Sequence, residues 1–240
     1  MNKMTCEKNL KSERNLEYRK AIDYIFNLIK DKELKVGSRL PTERCISETL
    51  NIGRNSTREA ISILSGMGFI ESVQGSGNYV SKNTGESIRQ IIDIMMALGT
   101  VKSSDICQFR RAMEKSVCDV LISSNLSAKW KSDMEQIICE MENLCNENDR
   151  VPLSTIVLKD KEFHMKLVEA TGNNLWITVM EAVSDVYDKW IGYVIEQSNK
   201  NDTNSLVSYH KNIYVSLLSQ KRGQIMDAID KHYNFIENFI

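Results

Sequence analysis

Apolar and polar residues follow two different rhythms along this chain. From Leu16 to Leu34, the apolar residues Ile22, Ile25, Phe26 and Ile29 form a helical stripe that ends in the charged stretch Lys-Asp-Lys-Glu. A loop with Gly37 and Pro41 follows. Thr42 is placed to cap a second short helix through Leu50, and a third runs from about Asn55 to Ser65 after the turn at Asn51 to Gly53. Phe69 to Val73 and Asn78 to Ser81 read as two short strands around the tight turn Gly75-Ser76-Gly77. Ala60, Ile61, Leu64 and Met67 are the expected core positions of the third helix and its end. Helix, helix, turn, helix and hairpin make a winged helix-turn-helix, a layout that sets its last helix in the major groove of DNA.

Beyond Gly99 glycine nearly vanishes, whereas six of the 11 glycines crowd into residues 37 to 77. The long periodic runs that follow predict six or seven helices: Glu86 to Leu98, Ser104 to Ser123, Ser127 to Asn146, Ser154 to Thr171, Asn174 to Gln197, Thr203 to Gln220 and Arg222 to Ile240. Ser104, Ser127, Ser154 and Thr203 read as caps, Gly99 and Gly172 as stops. The expected fold is therefore mainly α: a winged helix-turn-helix over residues 1–82 and an all-α helical bundle over residues 83–240. The linker is Ser-Lys-Asn-Thr-Gly-Glu-Ser, residues 81 to 87.

Charge sharpens this division. Residues 1 to 82 carry 14 Lys and Arg against 10 Asp and Glu, while the remainder carries 17 against 22. A basic segment joined to an acidic one fits a nucleic-acid reader attached to a module of another kind. The six cysteines lack the spacings of a zinc ribbon or a disulfide framework, so reduced structural thiols are expected. No stretch approaches the roughly 18 uncharged apolar residues of a membrane span, and the N-terminal residues show no export signal. The expected compartment is the cytoplasm, with no membrane partner.

Within the first segment, GSRLPTERCISETLNIGRNSTREAISILSGMGFIESVQGSGNYV resembles the DNA-binding domain of the GntR family of transcription regulators. It follows the family pattern G-x-x-LP-[ST]-E-R, a small residue and Arg, R-E-A, and G-x-G-x-x-V. Gly53 and Thr57 depart from it, standing where the family usually has Ser and Val. The three arginines of the motif, Arg44, Arg54 and Arg58, are expected to meet double-stranded operator DNA, because a guanidinium fork grips phosphate or a guanine edge bidentately. Asn55, Ser56 and Thr57 open the recognition helix and either reach bases or cap it. Gly75 and Gly77 shape the wing and allow its backbone to approach DNA. One recognition helix reads too few bases for specificity, so a homodimer on an inverted repeat is expected.

The chain has only three histidines. Asp160 and His164 stand at i and i+4, on one face of one helix. His210 and His232 each lie 11 positions from Lys221, at the polar turn between the last two helices. In an antiparallel hairpin, residues equidistant from the turn share a height, so the two imidazoles can face one another with Asp160 and His164 arriving from a third helix. One carboxylate and three imidazoles suit a divalent metal ion such as zinc, nickel or manganese, with coordination positions left open.

This half is similar to the FCD effector domain of the FadR-type branch of the same family. Arg110 to Glu114 matches its R-x-x-x-E, Asp160-Lys-Glu-Phe-His164 before Gly172-Asn173 its D-x-x-x-H and G-N, and His210 to His232 its terminal histidine pair. The resemblance implies a small organic acid effector whose carboxylate takes the metal's open positions, with Arg110 as its electrostatic partner. Arg110 could instead be tied to Glu114 as an i,i+4 pair. Two alternatives stand beside this reading. One is the same DNA-binding regulator, a repressor in either case, with a metal-free effector pocket; the other is a metal-dependent enzyme, which would find no further histidine for acid-base work.

Overall fold

Residues 3–82, 85–146, 153–197 and 200–239 are described by a computed structural model of the chain. It divides into two compact units, residues 1–87 and 88–240.

In the first unit, α1 (Lys3–Lys30) precedes α2 (Glu43–Leu50), α3 (Arg54–Gly66) and the strands β1 (Ile70–Val73) and β2 (Gly77–Val80). Helix α1 starts well before the expected Leu16. It also turns a slightly different face inward: Ala21 and Ile25 are buried, while Phe26 is 47% exposed and meets Phe69 edge to face. The buried set joins Ala21 and Ile25 to Leu40, Ile46, Ala60, Ile61, Leu64, Ile70 and Val80. Met67, expected in this core, is half exposed because the chain leaves α3 there. Thr42 caps α2 as expected, its hydroxyl oxygen accepting the Cys45 N–H at 3.2 Å. The strands pair antiparallel, Ile70 with Val80 and Val73 with Gly77. Arg39 adds an antiparallel bridge to Tyr79, and the Leu40 N–H donates to the Asn78 carbonyl at 2.8 Å.

The linker residues Asn83 and Thr84 lie outside the described residues; Gly85 opens α4 (Gly85–Ala97). Then come α5 (Ser103–Ile122), α6 (Ala128–Asn146), α7 (Leu153–Glu169), α8 (Asn174–Gln197), α9 (Lys200–Leu218) and α10 (Arg222–Glu237). Of the expected caps, Ser127 serves, accepting the Trp130 N–H at 3.1 Å. Ser104 does not: α5 starts one residue earlier, and Asp105 accepts the Lys102 N–H at 2.8 Å instead. Ser154 and Thr203 lie inside α7 and α9 rather than ahead of them. Gly99 and Gly172 end their helices in the left-handed region, at φ +69° and +64°, where a Cβ would be strained.

Helix α7 packs along α8 and α6, α10 along α9 and α5, and α6 along α9. The core so formed is apolar at its periphery, with Val117, Leu121, Met134, Leu167, Met180, Ile191, Ile213 and Ile229 all fully buried. At its centre it encloses Arg110, Glu114, Asp160, His164, Ser184, His210 and His232. Among the described residues, no helix is long and apolar enough to cross a membrane. The cysteines whose side chains are described, Cys45, Cys107, Cys118 and Cys139, are free thiols.

Candidate functional site

Two places in the molecule gather chemistry, one in each unit. In the first, α3 begins at Arg54, and its cap residue Gly53 has no side chain to satisfy the open N–H groups of the first turn. Glu17 of α1 does so instead. Its Oε2 accepts the Gly53 N–H at 3.3 Å and the Ser56 hydroxyl at 2.7 Å, setting a carboxylate at the positive end of the helix dipole. The serine missing from position 53 is thus replaced by a tertiary contact.

This tie corrects part of the expected DNA face. Ser56 and Thr57 are buried, 6% and 0% exposed, and Thr57 Oγ1 donates back to the Gly53 carbonyl at 3.4 Å. They fasten α3 to its own unit and are not presented outward. Arg54, Asn55 and Arg58 are exposed, with Arg54 and Arg58 a turn apart. Arg58 donates to Glu43 from Nη2 at 3.0 Å and from Nε at 3.2 Å, and Arg44 donates to Glu48 at 2.7 Å. Arg54 has no ion pair among the described residues. With Arg39, Glu43, Gly77 and Asn78, the three arginines line one recess of about 320 Å³. Gly75 has φ +75° at the hairpin tip, where the Ser76 N–H donates to the Val73 carbonyl at 3.0 Å.

In the second unit, α7 supplies Asp160 and His164, and the α9–α10 hairpin supplies His210 and His232. One ring nitrogen from each of the three histidines lies within 4.8 Å of the other two, and all three side chains are buried. Asp160 Oδ1 stands 3.1 Å from His210 Nε2 and 3.8 Å from His164 Nε2. The hairpin symmetry about Lys221 holds, since the rings of His210 and His232 have centroids 4.6 Å apart.

Proton positions follow from the outer partners of these rings. His210 Nδ1 lies 2.9 Å from the Leu206 carbonyl, which can only accept, so the proton is on Nδ1 and Nε2 is a bare lone pair. His164 Nδ1 lies 2.8 Å from Glu114 Oε1, which sets a carboxylate directly behind that ring. The two Nε2 atoms lie 3.1 Å apart, within hydrogen-bonding distance of each other and beside the Asp160 oxygen. Among the described residues, neither nitrogen of His232 has a hydrogen-bond partner, nor does Asp160 Oδ1 in good geometry. Burial costs polar atoms left in that state about 1–3 kcal/mol each. A buried cluster of imidazole nitrogens beside a carboxylate oxygen suits a cation, and its outer contacts, a backbone carbonyl and a carboxylate behind the imidazoles, are those that orient metal-binding histidines.

Protonation states agree. Burial, reinforced by the neighbouring imidazoles at His232, pushes His210 and His232 below the ordinary histidine range and keeps them neutral. Burial opposes ionisation of Asp160 and Glu114, but His164 and Arg110 beside both, with His210 at Asp160 and Tyr233 at Glu114, outweigh it and hold the two carboxyls below their usual range. Neutral imidazoles and ionised carboxylates are the forms that ligate metals.

Arg110 lies against this cluster, 1% exposed. Its guanidinium covers the Tyr187 ring at 4.2 Å, Nη1 donates to Ser184 at 3.3 Å, Nε donates to Tyr233 at 3.4 Å, and Nη2 stands 3.7 Å from Glu114. Among the described residues, Nη2 and the Tyr187 hydroxyl have no hydrogen-bond partner. Glu114, which sequence spacing offers only as an ion-pair partner, is the hub: it also accepts the Tyr233 hydroxyl at 2.5 Å and backs His164. Ser184, Tyr187 and Tyr233 went unsuspected. Tyr233 adjoins His232, but the contacts of all three cross 74 residues or more of sequence or depend on how α8 is rotated.

Comparison with known proteins bears on both places. Residues 17–80 match the family described as bacterial regulatory proteins, gntR family, and residues 105–235 match the FCD domain. The chain is 24% identical over 216 residues to the HTH-type transcriptional regulator LutR of Bacillus subtilis, covering 89% of this chain and 96% of that one. It is 25% identical over 181 residues to the Glc operon transcriptional activator of Escherichia coli, covering 74% and 69%. A solved Streptococcus agalactiae GntR structure shares the fold, with a TM-score of 0.69 at 22% identity over 92% of this chain and 99% of that one. With a winged helix-turn-helix in one unit, a helical FCD domain in the other and transcription regulators as its relatives, this chain belongs to the GntR family and is a DNA-binding transcription regulator rather than an enzyme.

Proposed function

We propose that residues 1–82 bind operator DNA as part of a homodimer, and that a small carboxylate bound at a metal in residues 83–240 controls that binding, in a repressor. Asp160, His164, His210 and His232 hold the metal, with zinc, nickel or manganese suited to an imidazole-rich set. When bound, the ion supplies a Lewis-acidic seat for the effector's carboxylate, and Arg110 offers it the second positive partner. The observation that carries this reading is the pair of facing Nε2 atoms 3.1 Å apart, with Asp160 beside them and His232 unpartnered. The orphaned Nη2 of Arg110 and hydroxyl of Tyr187 favour an organic ligand beside the ion.

Control requires that the effector bind differently to the DNA-competent and DNA-free forms, and a coupling of about 1–3 kcal/mol gives roughly 5- to 150-fold. Linkage makes this reciprocal. Calorimetric titration of the metal-loaded protein with a panel of small mono- and dicarboxylates, with and without operator duplex, tests it. An acid that binds should do so with a different affinity when operator is present. Identical affinities for every acid that binds would refute the sensor reading.

A further inference from the structure

We infer that Arg39 is a fourth DNA-contacting arginine, one that grips a backbone phosphate between the recognition helix and the wing. The inference rests on the DNA-binding reading of the first unit and adds a residue lying outside its three motif arginines.

Arg39 precedes Leu40 in the short extended stretch that bridges β2, so its backbone is pinned to the wing at Tyr79 and its neighbour's at Asn78. From there its side chain crosses Gly77. A Cβ built on Gly77 would stand 2.9 Å from Arg39 Nε and 3.2 Å from Nη2, so the guanidinium rests on bare glycine backbone, and any other residue at 77 would displace it. Gly77 also has φ +131°, which only glycine adopts readily. The wing therefore keeps a flat seat for this one side chain.

The seat lies between two recesses. One, of about 320 Å³, holds Arg44, Arg54, Arg58 and Glu43; the other, of about 510 Å³, runs along Ser72 to Asn78 of the wing, and Arg39 lines both. Among the described residues Arg39 has no ion pair or side-chain hydrogen bond, whereas Arg44 and Arg58 are held by Glu48 and Glu43. An exposed guanidinium, pinned at its base and uncommitted at its tip, is ready to donate to an anion. Its base in the stretch that bridges the wing, rather than on α3 itself, favours the phosphate backbone over a base edge; phosphates take half or more of protein–DNA hydrogen bonds.

The test uses the full-length protein, fluorescence anisotropy, a labelled duplex of random sequence and the duplex that the wild type selects from a random pool. Arg39→Gln should weaken binding to both duplexes alike and lower the slope of log affinity against log salt by about 1. Arg39→Lys should restore the slope, because the charge returns even though the flat guanidinium does not; a brace of the wing with no charge role would not be rescued this way. Arg58→Ala serves as the comparator. An unchanged slope in Arg39→Gln while Arg58→Ala weakens binding overturns the proposal and leaves the DNA face standing. A loss confined to the selected duplex makes Arg39 a base reader and overturns the phosphate assignment. Unchanged binding in both variants overturns the DNA face itself, and this proposal with it.

Discussion

Two arginine–glutamate pairs show what separates the two units. Arg58 and Glu43 meet at 3.0 Å with the arginine side chain 67% exposed, and Arg110 and Glu114 stand 3.7 Å apart in the core. The shorter pair matters less to the fold. In water it contributes roughly 0–1 kcal/mol and can be exchanged for another anion at little cost, which is what a DNA-contacting arginine requires. The longer pair is enclosed, and Nη2 of the one and Oε2 of the other lack hydrogen-bond partners among the described residues. Natural cores avoid such orphans, and here they gather around His164, His232 and Asp160, which share the same deficiency among the described residues. Contact quality thus points in opposite directions: good pairing marks the exchangeable surface, and imperfect pairing marks the interior place built to receive something.

The largest expected effect comes from breaking the interior cluster. Metal at 100 times its dissociation constant stabilises the folded state by about 2.7 kcal/mol, or roughly 5–10 °C in a domain of this size. Chelation should lower the melting temperature of the wild type by that amount in a thermal scan, whereas His232→Ala should melt low and ignore the chelator. Next is Glu114→Gln, which keeps the shape behind His164 but removes the charge. Its metal affinity should fall about 10- to 100-fold by competition with a chromophoric chelator. On the surface, Arg58→Ala should cost about 1–3 kcal/mol of operator affinity if the arginine reads a base, and leave the melting temperature nearly unchanged. The smallest effect is expected from Glu17→Ala, which uncaps α3: about 1 kcal/mol of stability by denaturant titration, with a parallel weakening of DNA binding.

What could be read in the sequence follows from how local each feature is. The Thr42 cap and the Gly99 and Gly172 stops depend on neighbours a few residues away, and all three hold. The pairing of His210 with His232 needed only the symmetry of a hairpin about Lys221. Ser56 and Thr57 face inward, which the phase of Ala60, Ile61 and Leu64 already implies for Thr57; what the helix itself does not reveal is that Glu17, 39 residues from Ser56, caps it. Glu114 was legible as a neighbour of Arg110 but not as the hub, since its bond to Tyr233 closes over 119 residues. Arg39 was hidden for a similar reason: its significance lies in what Gly77 lacks.

The central claim is that the four side chains at the heart of the second unit hold a metal ion. Elemental analysis of protein purified without a polyhistidine tag, in parallel with the Asp160→Ala and His232→Ala variants, tests it most directly. The expected result is one divalent ion per wild-type chain, as purified or after titration and desalting, and loss of that stoichiometry in both variants. A wild-type protein that retains no stoichiometric metal after titration, or variants that retain as much as the wild type, would contradict it.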